Sequence, residues 1–257
     1  MAVVMTRVMA ALIVAILVAG CASSGQQRGG GDRERASQIN TELGMTYLQQ
    51  GNNSQAMESL KKALDQDRNN YSAHATIAVL YERLDQHDQA REHFRRAVRL
   101  NGEDSSVRNN YGRFLCNRGE YDAAQDQFAR ALRDPLYERR ELPLANAGLC
   151  ALQAGEPEKA EDFLRRALEY SPTFPPALRR MAELRHDSGD NISARGYMQR
   201  YRDVANLGAS DLWLAVRIEN ALGNRDDAAS YGLRLRADFP DSEETRMYNQ
   251  MRRDGRS

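Results

Sequence analysis

Long apolar runs, lysine and cysteine are scarce in this chain of 257 residues, and each scarcity excludes something. The longest apolar run, MAALIVAILVAG at residues 9 to 20, falls short of the roughly 20 residues that a membrane-spanning helix needs. Lysine occurs only as Lys61, Lys62 and Lys159; arginine supplies the rest of the 36 basic residues, which balance 36 acidic ones. No block of five like charges is present, and doublets such as Arg95-Arg96 and Arg165-Arg166, near Glu92 and Glu161, read as solvated helix faces. This balance creates no electrostatic demand for nucleic acid or an anionic lipid surface. Gly-rich phosphate loops, serine nucleophile elbows and HExxH sequences are absent. The four histidines, His74, His87, His93 and His186, are scattered. His87 and His93, six positions apart, do not share a helix face, so no metal site is expected. The chain therefore reads as neither an enzyme nor a cofactor carrier.

What is present begins at the N-terminus. Arg7 is the only charged residue among the first twenty, and the apolar run after it ends in Val18-Ala19-Gly20-Cys21. That pattern matches the bacterial lipobox, in which a signal peptidase cuts before a diacylated cysteine. Residues 1 to 20 are thus expected to be a lipoprotein signal peptide, with Cys21 as the lipid attachment site. Ala22 follows it, where an aspartate would resemble an inner-membrane retention signal, so an outer-membrane address is favoured. Each buried acyl CH₂ contributes about 0.8 kcal/mol, and several chains together anchor stably where one does not. Removing residues 1 to 20 leaves 35 basic against 36 acidic side chains. The next stretch, ASSGQQRGGGDRER, lacks apolar periodicity, so residues 21 to 35 are expected to be lipidated cysteine and flexible linker. Residues 22 to 33 would then span roughly 20 Å root-mean-square and at most about 40 Å.

The remainder is organised by a repeat of 34 residues. LGMTYLQQGNNSQAMESLKKAL at 43 to 64 lines up with IAVLYERLDQHDQAREHFRRAV at 77 to 98 and YGRFLCNRGEYDAAQDQFARAL at 111 to 132. AGLCALQAGEPEKAEDFLRRAL at 147 to 168 follows after a two-residue insertion, and fainter copies start at Met181 and Ala215. Gly44, Ala78, Gly112, Gly148 and Ala182 are small where one helix must lie close to its partner. Seven residues on, Gly51, Gly119, Gly155, Gly189 and Gly223 suit a left-handed helix end. Ala56, Ala90, Ala124, Ala160, Ala194 and Ala228 fall at the crossing on the second helix. This spacing resembles the tetratricopeptide repeat and predicts an all-α, right-handed superhelix of about six helical hairpins. The repeats lie near 37–70, 71–104, 105–140, 141–174, 175–208 and 209–240 of a domain covering 36–257. A polar capping helix is expected over 241–253, with Asp241 and Glu244 spaced for a capping box.

Cys116 and Cys150 fall on the first helices of adjacent repeats, four and two residues beyond Gly112 and Gly148. Their spacing is compatible with a disulfide, with two buried thiols or with a reactive cysteine, although no histidine lies near enough in the repeat to activate one. A concave groove lined by first helices is the expected partner surface. In the first two repeats it would carry Thr41, Met45, Leu48, Ala75, Val79 and Glu82, a largely apolar set suited to an apolar strand or helix. Packing within the stack is the alternative for Met45, Leu48 and Val79. Asn109 and Arg113, in NNYGRFLC at 109 to 116, are expected to face the groove and offer hydrogen bonds to a peptide.

The lipobox, the six repeats, NNYGRFLC, the ALRDPLY connection at 131 to 137 and NAGLCALQAG at 146 to 155 together resemble the PilF/PilW family of type IV pilus biogenesis lipoproteins. That resemblance covers essentially the whole chain. It implies a pilotin: an outer-membrane, periplasm-facing lipoprotein, delivered by lipoprotein carrier machinery, that binds a secretin subunit of the pilus and promotes its localisation and multimerisation. It also implies a Cys116–Cys150 disulfide. The alternative is a repeat scaffold for β-barrel assembly or another secretion system. Arg185 and Glu219 depart from the pattern, standing where a large apolar residue is usual.

Overall fold

The computed structural model describes residues 25–255, which form thirteen α-helices and no strand. The helices are α1 (Gly25–Gln49), α2 (Asn53–Gln66), α3 (Tyr71–Arg83), α4 (His87–Leu100), α5 (Ser105–Asn117), α6 (Tyr121–Ala131) and α7 (Glu141–Gln153). They continue as α8 (Pro157–Tyr170), α9 (Pro175–Asp187), α10 (Asn191–Arg202), α11 (Ala209–Ala221), α12 (Arg225–Asp238) and α13 (Glu243–Arg253). The chain divides into two compact units, the first ending at Val107 and the second beginning at Arg108. In the first, α1 packs on α2, α3 on α4, and α3 also touches α1 and α2. In the second, α7 with α8, α9 with α10 and α11 with α12 form hairpins, and α13 packs on α11 and α12.

The hairpins close on missing side chains. A Cβ placed on Gly44 would come 2.6 Å from Leu60, one on Gly112 2.7 Å from Phe128, and one on Gly148 2.9 Å from Leu164. Each large residue lies sixteen positions after its glycine, one helix later, and Leu60, Phe128 and Leu164 are essentially fully buried. Ala56, Ala90, Ala124, Ala160 and Ala194 are all at 0% exposure, so the crossing tolerates nothing larger. Turns repeat with the same economy. Gly51, Gly119, Gly155, Gly189 and Gly223 have φ between 77° and 85° or within a degree below, at 76° for Gly119. The amide after Gly119, that of Glu120, donates back to the Leu115 carbonyl at 3.0 Å, and Asn52, Glu156 and Asn224 do likewise to Tyr47, Ala151 and Glu219. The second repeat has Asp85 there instead, at φ 57°, a conformation that aspartate tolerates better than most side chains.

Two expectations are corrected. Helix α1 begins at Gly25, inside the segment 21–35 expected to be linker, because a helix already nucleated by packed residues gains one backbone hydrogen bond for each residue added. Arg33, near its start, donates to the Asp65 carbonyl at 3.3 Å. As helix, residues 25–36 reach about 18 Å rather than acting as a free tether. The signal peptide and Cys21 lie outside the described residues. At the other end α13 is capped not by Asp241 but by Ser242, whose Oγ accepts from the Thr245 amide at 3.1 Å. Tyr248 then fills the space over Gly232, where a Cβ would meet its ring at 2.0 Å.

The departures in the last repeats are absorbed by an ion pair and a hydrogen bond. Arg185 pairs with Glu161, and buried Glu219 accepts from Asn224 Nδ2 at 2.7 Å. A deeper network joins repeats through Asp211, which is 6% exposed: Arg179 Nε donates to it at 2.5 Å and the Tyr201 hydroxyl at 3.3 Å. Burial first, and then that carboxylate, hold the Tyr201 phenol above its usual range. Removing Asp211 would take from Arg179 one of its two carboxylate partners and leave the Tyr201 hydroxyl without its acceptor.

The contact at the hairpin crossing is testable. Gly112→Ala is expected to lower unfolding stability by about 1–3 kcal/mol through overpacking against Phe128. Gly196→Ala, on an exposed helical position with no heavy atom within 4 Å of the new Cβ, is expected to raise it by roughly 0.5–1 kcal/mol. Urea midpoints that move in the same direction for both would contradict the crossing as the controlling contact.

Candidate functional site

The residues expected to line a groove do not all reach one. Thr41 is 3% exposed, its hydroxyl donating to the Ser37 carbonyl at 2.8 Å and accepting from Asn70 Nδ2 at 3.1 Å. Asn70 also donates to Ser37 Oγ at 2.8 Å and caps α3 by accepting from the Ala73 amide at 3.0 Å. Thr41 is thus committed to joining α1 to the start of α3. Leu48 is buried with Ala56, Leu60, Ile77 and Leu80, and Ala75 with Ala97 and Val107. Thr41 and Ala75 were expected as partner contacts and are instead interior, and for Leu48 it is the alternative of packing within the stack that the structure shows, because first helices in a two-layer stack are covered on more than one side. Met45, at 36% exposure, remains at the surface of α1, while Val79 and Glu82 are half-buried on α3.

A surface that spacing did not single out lies on another face of α1 from Met45. Ile39 and Leu43 on α1 are 58% and 41% exposed. Their counterparts one repeat later, Ala73 and Ile77, are 0% and 1% exposed. The signal was the repeat register itself: in the first repeat these positions have no preceding hairpin among the described residues to cover them.

In the second unit the segment NNYGRFLC becomes the core-facing part of α5. Tyr111, Phe114 and Leu115 are buried, with Tyr111 and Phe114 rings 6.3 Å apart. Asn109 is also buried, at 7% exposure, its Oδ1 accepting from Asn146 Nδ2 at 2.9 Å. That bond corrects its expected role as a groove residue: its carboxamide joins α5 to α7 and is not offered to a peptide. Arg108 similarly donates to Gln127 at 2.7 Å. Arg113 is half-buried and partnered within the fold.

Asn146 opens onto a recess of about 330 Å³ bounded by Ala145, Leu149, Pro175, Pro176, Arg179, Arg180 and Tyr201. The prolines are there because the first turn of α9 has no use for their missing N–H. They give the recess an apolar wall, and the arginines, paired with Glu183 at 2.8 and 2.6 Å, give it a polar rim. Such a recess suits an apolar side chain flanked by backbone polar groups.

Cys116 and Cys150 are joined by a disulfide, with Cα atoms 5.7 Å apart. Cys116 is 5% and Cys150 0% exposed, so the pair is interior and holds no nucleophilic thiolate. It connects α5 to α7 across the irregular segment 132–140, where Leu136 stands 84% exposed. Arg140 folds that segment by donating to the Asp134 and Leu132 carbonyls at 2.8 and 3.0 Å. No group of three or more metal-ligating side chains occurs among the described residues.

Tetratricopeptide repeat family models match residues 47–97, 76–135 and 112–175. The type IV pilus assembly protein PilF of Pseudomonas aeruginosa is 33% identical over 233 residues, covering 90% of this chain and 92% of its own. The solved structure of Pseudomonas aeruginosa PilF superposes with a TM-score of 0.78 at 32% identity, over 87% of this chain and 99% of that one. PilW, a widely conserved type IV pilus biogenesis factor, gives 0.76 at 36% identity, over 82% and 97%.

The disulfide carries its own test. Closing a separation of 34 residues is worth about 3–4 kcal/mol by chain entropy. Reduction, or the double replacement Cys116→Ser with Cys150→Ser, is expected to lower unfolding stability by about that amount with helicity retained. Unchanged urea midpoints on reduction would mean that α5 and α7 are held by packing alone.

Proposed function

Because the chain belongs to the PilF family of tetratricopeptide proteins of type IV pilus biogenesis, we propose that it acts as a pilotin for the pilus secretin. The observation that carries this reading is the extent of the likeness: a third of positions are identical across nine-tenths of both chains. A likeness confined to the repeat would support only the fold.

The proposed sequence of events starts with lipid on Cys21, the only cofactor-like group invoked. Carrier machinery delivers the lipidated protein to the outer membrane, where its repeats face the periplasm. A secretin subunit docks on the repeats and is concentrated at the membrane, where rings assemble. Tethering converts docking into a local event, so modest affinity suffices. The surface proposed to hold the subunit is that of α1 and α3, where Met45 and Val79 stand at the same register of successive repeats and Glu82 supplies a polar edge. No nucleic acid takes part, since the side-chain charges balance.

Cys21→Ala is expected to leave the secretin in the inner membrane as monomers, read by membrane fractionation and by the ring's mobility in gentle detergent gels. Normal rings in the outer membrane of that strain would refute lipid-dependent delivery. Met45→Glu and Val79→Glu are each expected to weaken secretin capture at least tenfold, which is about 1.4 kcal/mol, without loss of helicity by circular dichroism. Undiminished capture by both would move the docking surface elsewhere on the protein.

A further inference from the structure

Two histidines that lie far apart in sequence meet in the first unit. His74 on α3 and His93 on α4 approach with their Nδ1 atoms 2.9 Å apart and ring centroids 5.0 Å apart. The Tyr81 ring lies 5.4 Å from that of His93. His74 Nε2 is 3.1 Å from the Arg68 carbonyl, which can only accept, so this nitrogen carries the proton. Neutral His74 therefore presents an unprotonated Nδ1, and His93 must donate to it from Nδ1. The tautomers of both rings are fixed by this chain of bonds. His93 Nε2 is left as the one nitrogen that can take up a proton without breaking either bond.

The pair forms one side of an open recess of about 300 Å³, completed by Leu64, Arg68, Glu92, Arg96 and Arg99. Three guanidiniums face one carboxylate there, an excess of two positive charges while the pair is neutral and three once it is protonated. Asp67, in the turn after α2, is the other acidic group near His74. Arg96 is held in place by donating to Asn69 Oδ1 at 2.7 Å, which leaves most of its donors for a ligand. This uncompensated cluster differs from the arginines of the second unit. Arg130, Arg165 and Arg166 each pair with a carboxylate one helical turn away.

Burial first, and for His93 then its neighbour His74, push both imidazoles below their ordinary range; Arg96 and Arg99 add to this at His74. A depressed histidine supplies stability that is present above its unfolded pKa near 6.5 and is lost as pH falls through the folded value. An anion among the arginines reverses that electrostatic opposition and favours the protonated pair.

We propose that this recess binds a phosphate-class oxyanion through Arg68, Arg96 and Arg99, and that the His74–His93 pair takes up one proton with it at His93 Nε2, so that binding tightens on acidification. Several convergent guanidinium donors match a tetrahedral dianion better than a single carboxylate. The same phosphate chemistry is offered by a free phosphate ester or by a lipid headgroup.

Inorganic sulfate is the probe, because its charge does not change between pH 5.5 and 7.5. Histidine NMR signals and calorimetry of the full chain carrying Cys21→Ser, which takes no lipid, are the readouts. Sulfate is expected to bind at least about fivefold more tightly at pH 5.5 than at 7.5, and to raise the titration midpoint of the His93 signal. Arg96→Gln with Arg99→Gln is expected to abolish binding at both values with helicity unchanged. His93→Asn is expected to bind sulfate with no pH dependence. Absent sulfate binding at pH 5.5, or binding indifferent to the arginine replacements, would overturn the site; binding without pH dependence in the unreplaced pair would overturn the coupled proton. Phosphatidylcholine vesicles with and without phosphatidic acid identify the source. Perturbation of the His93 signal only by the acidic vesicles assigns a headgroup, and perturbation by glycerol phosphate alone assigns a soluble ester.

Discussion

Across three of the hairpins a glycine meets a large side chain sixteen positions later, and the rest of the structure depends on that close approach. Gly44 under Leu60, Gly112 under Phe128 and Gly148 under Leu164 leave no room even for a methyl group. The near-contact sets the distance between paired helices, and the alanines at the crossing then become fully buried on the same line. Because each hairpin buries only one side of itself, its other side requires a neighbour. The first repeat makes this visible: Ile39 and Leu43 are exposed where Ala73 and Ile77 are covered.

Polar groups join successive repeats at fixed points. Ser37, Thr41 and Asn70 link α1 to α3, Asn109 and Asn146 link α5 to α7, and Arg179, Tyr201 and Asp211 tie the later hairpins. Each of these side chains is wholly or partly buried and has its hydrogen bonds satisfied inside the fold, as buried polar groups require. The disulfide belongs to the same class of device. It crosses the connection where two extra residues and the exposed Leu136 interrupt the period. Residues that look chemically active in sequence, asparagine, arginine and cysteine within eight positions, are here largely the fasteners of a stack.

Function on such a scaffold rests on what the stack leaves uncovered. The apolar surface of α1 at Ile39 and Leu43 and the arginine-rich recess beside His74 and His93 are both in the first unit, and they differ in chemistry. One excludes water and suits a protein segment; the other gathers charge and suits an oxyanion. Leu149, Pro175 and Pro176 in the second unit form a third, smaller concavity whose apolar wall follows from prolines placed to start a helix.

The sequence by itself determined the helices, their pairing and the family, because small residues, glycines at helix ends and alanines at crossings act through local geometry that repeats every 34 positions. It also marked Cys116 and Cys150 as neighbours in adjacent repeats. It did not separate groove from interior: Thr41, Leu48, Ala75 and Asn109 carry the right register for a surface, yet hydrogen bonds and packing from other helices, as far as 37 positions away, enclose them. Nor could a helix-face count bring His74 to His93, since their contact is made between two helices rather than along one. Periodicity constrains each element's own faces; which of those faces meets another, and which titratable groups are thereby buried together, was decided by tertiary packing.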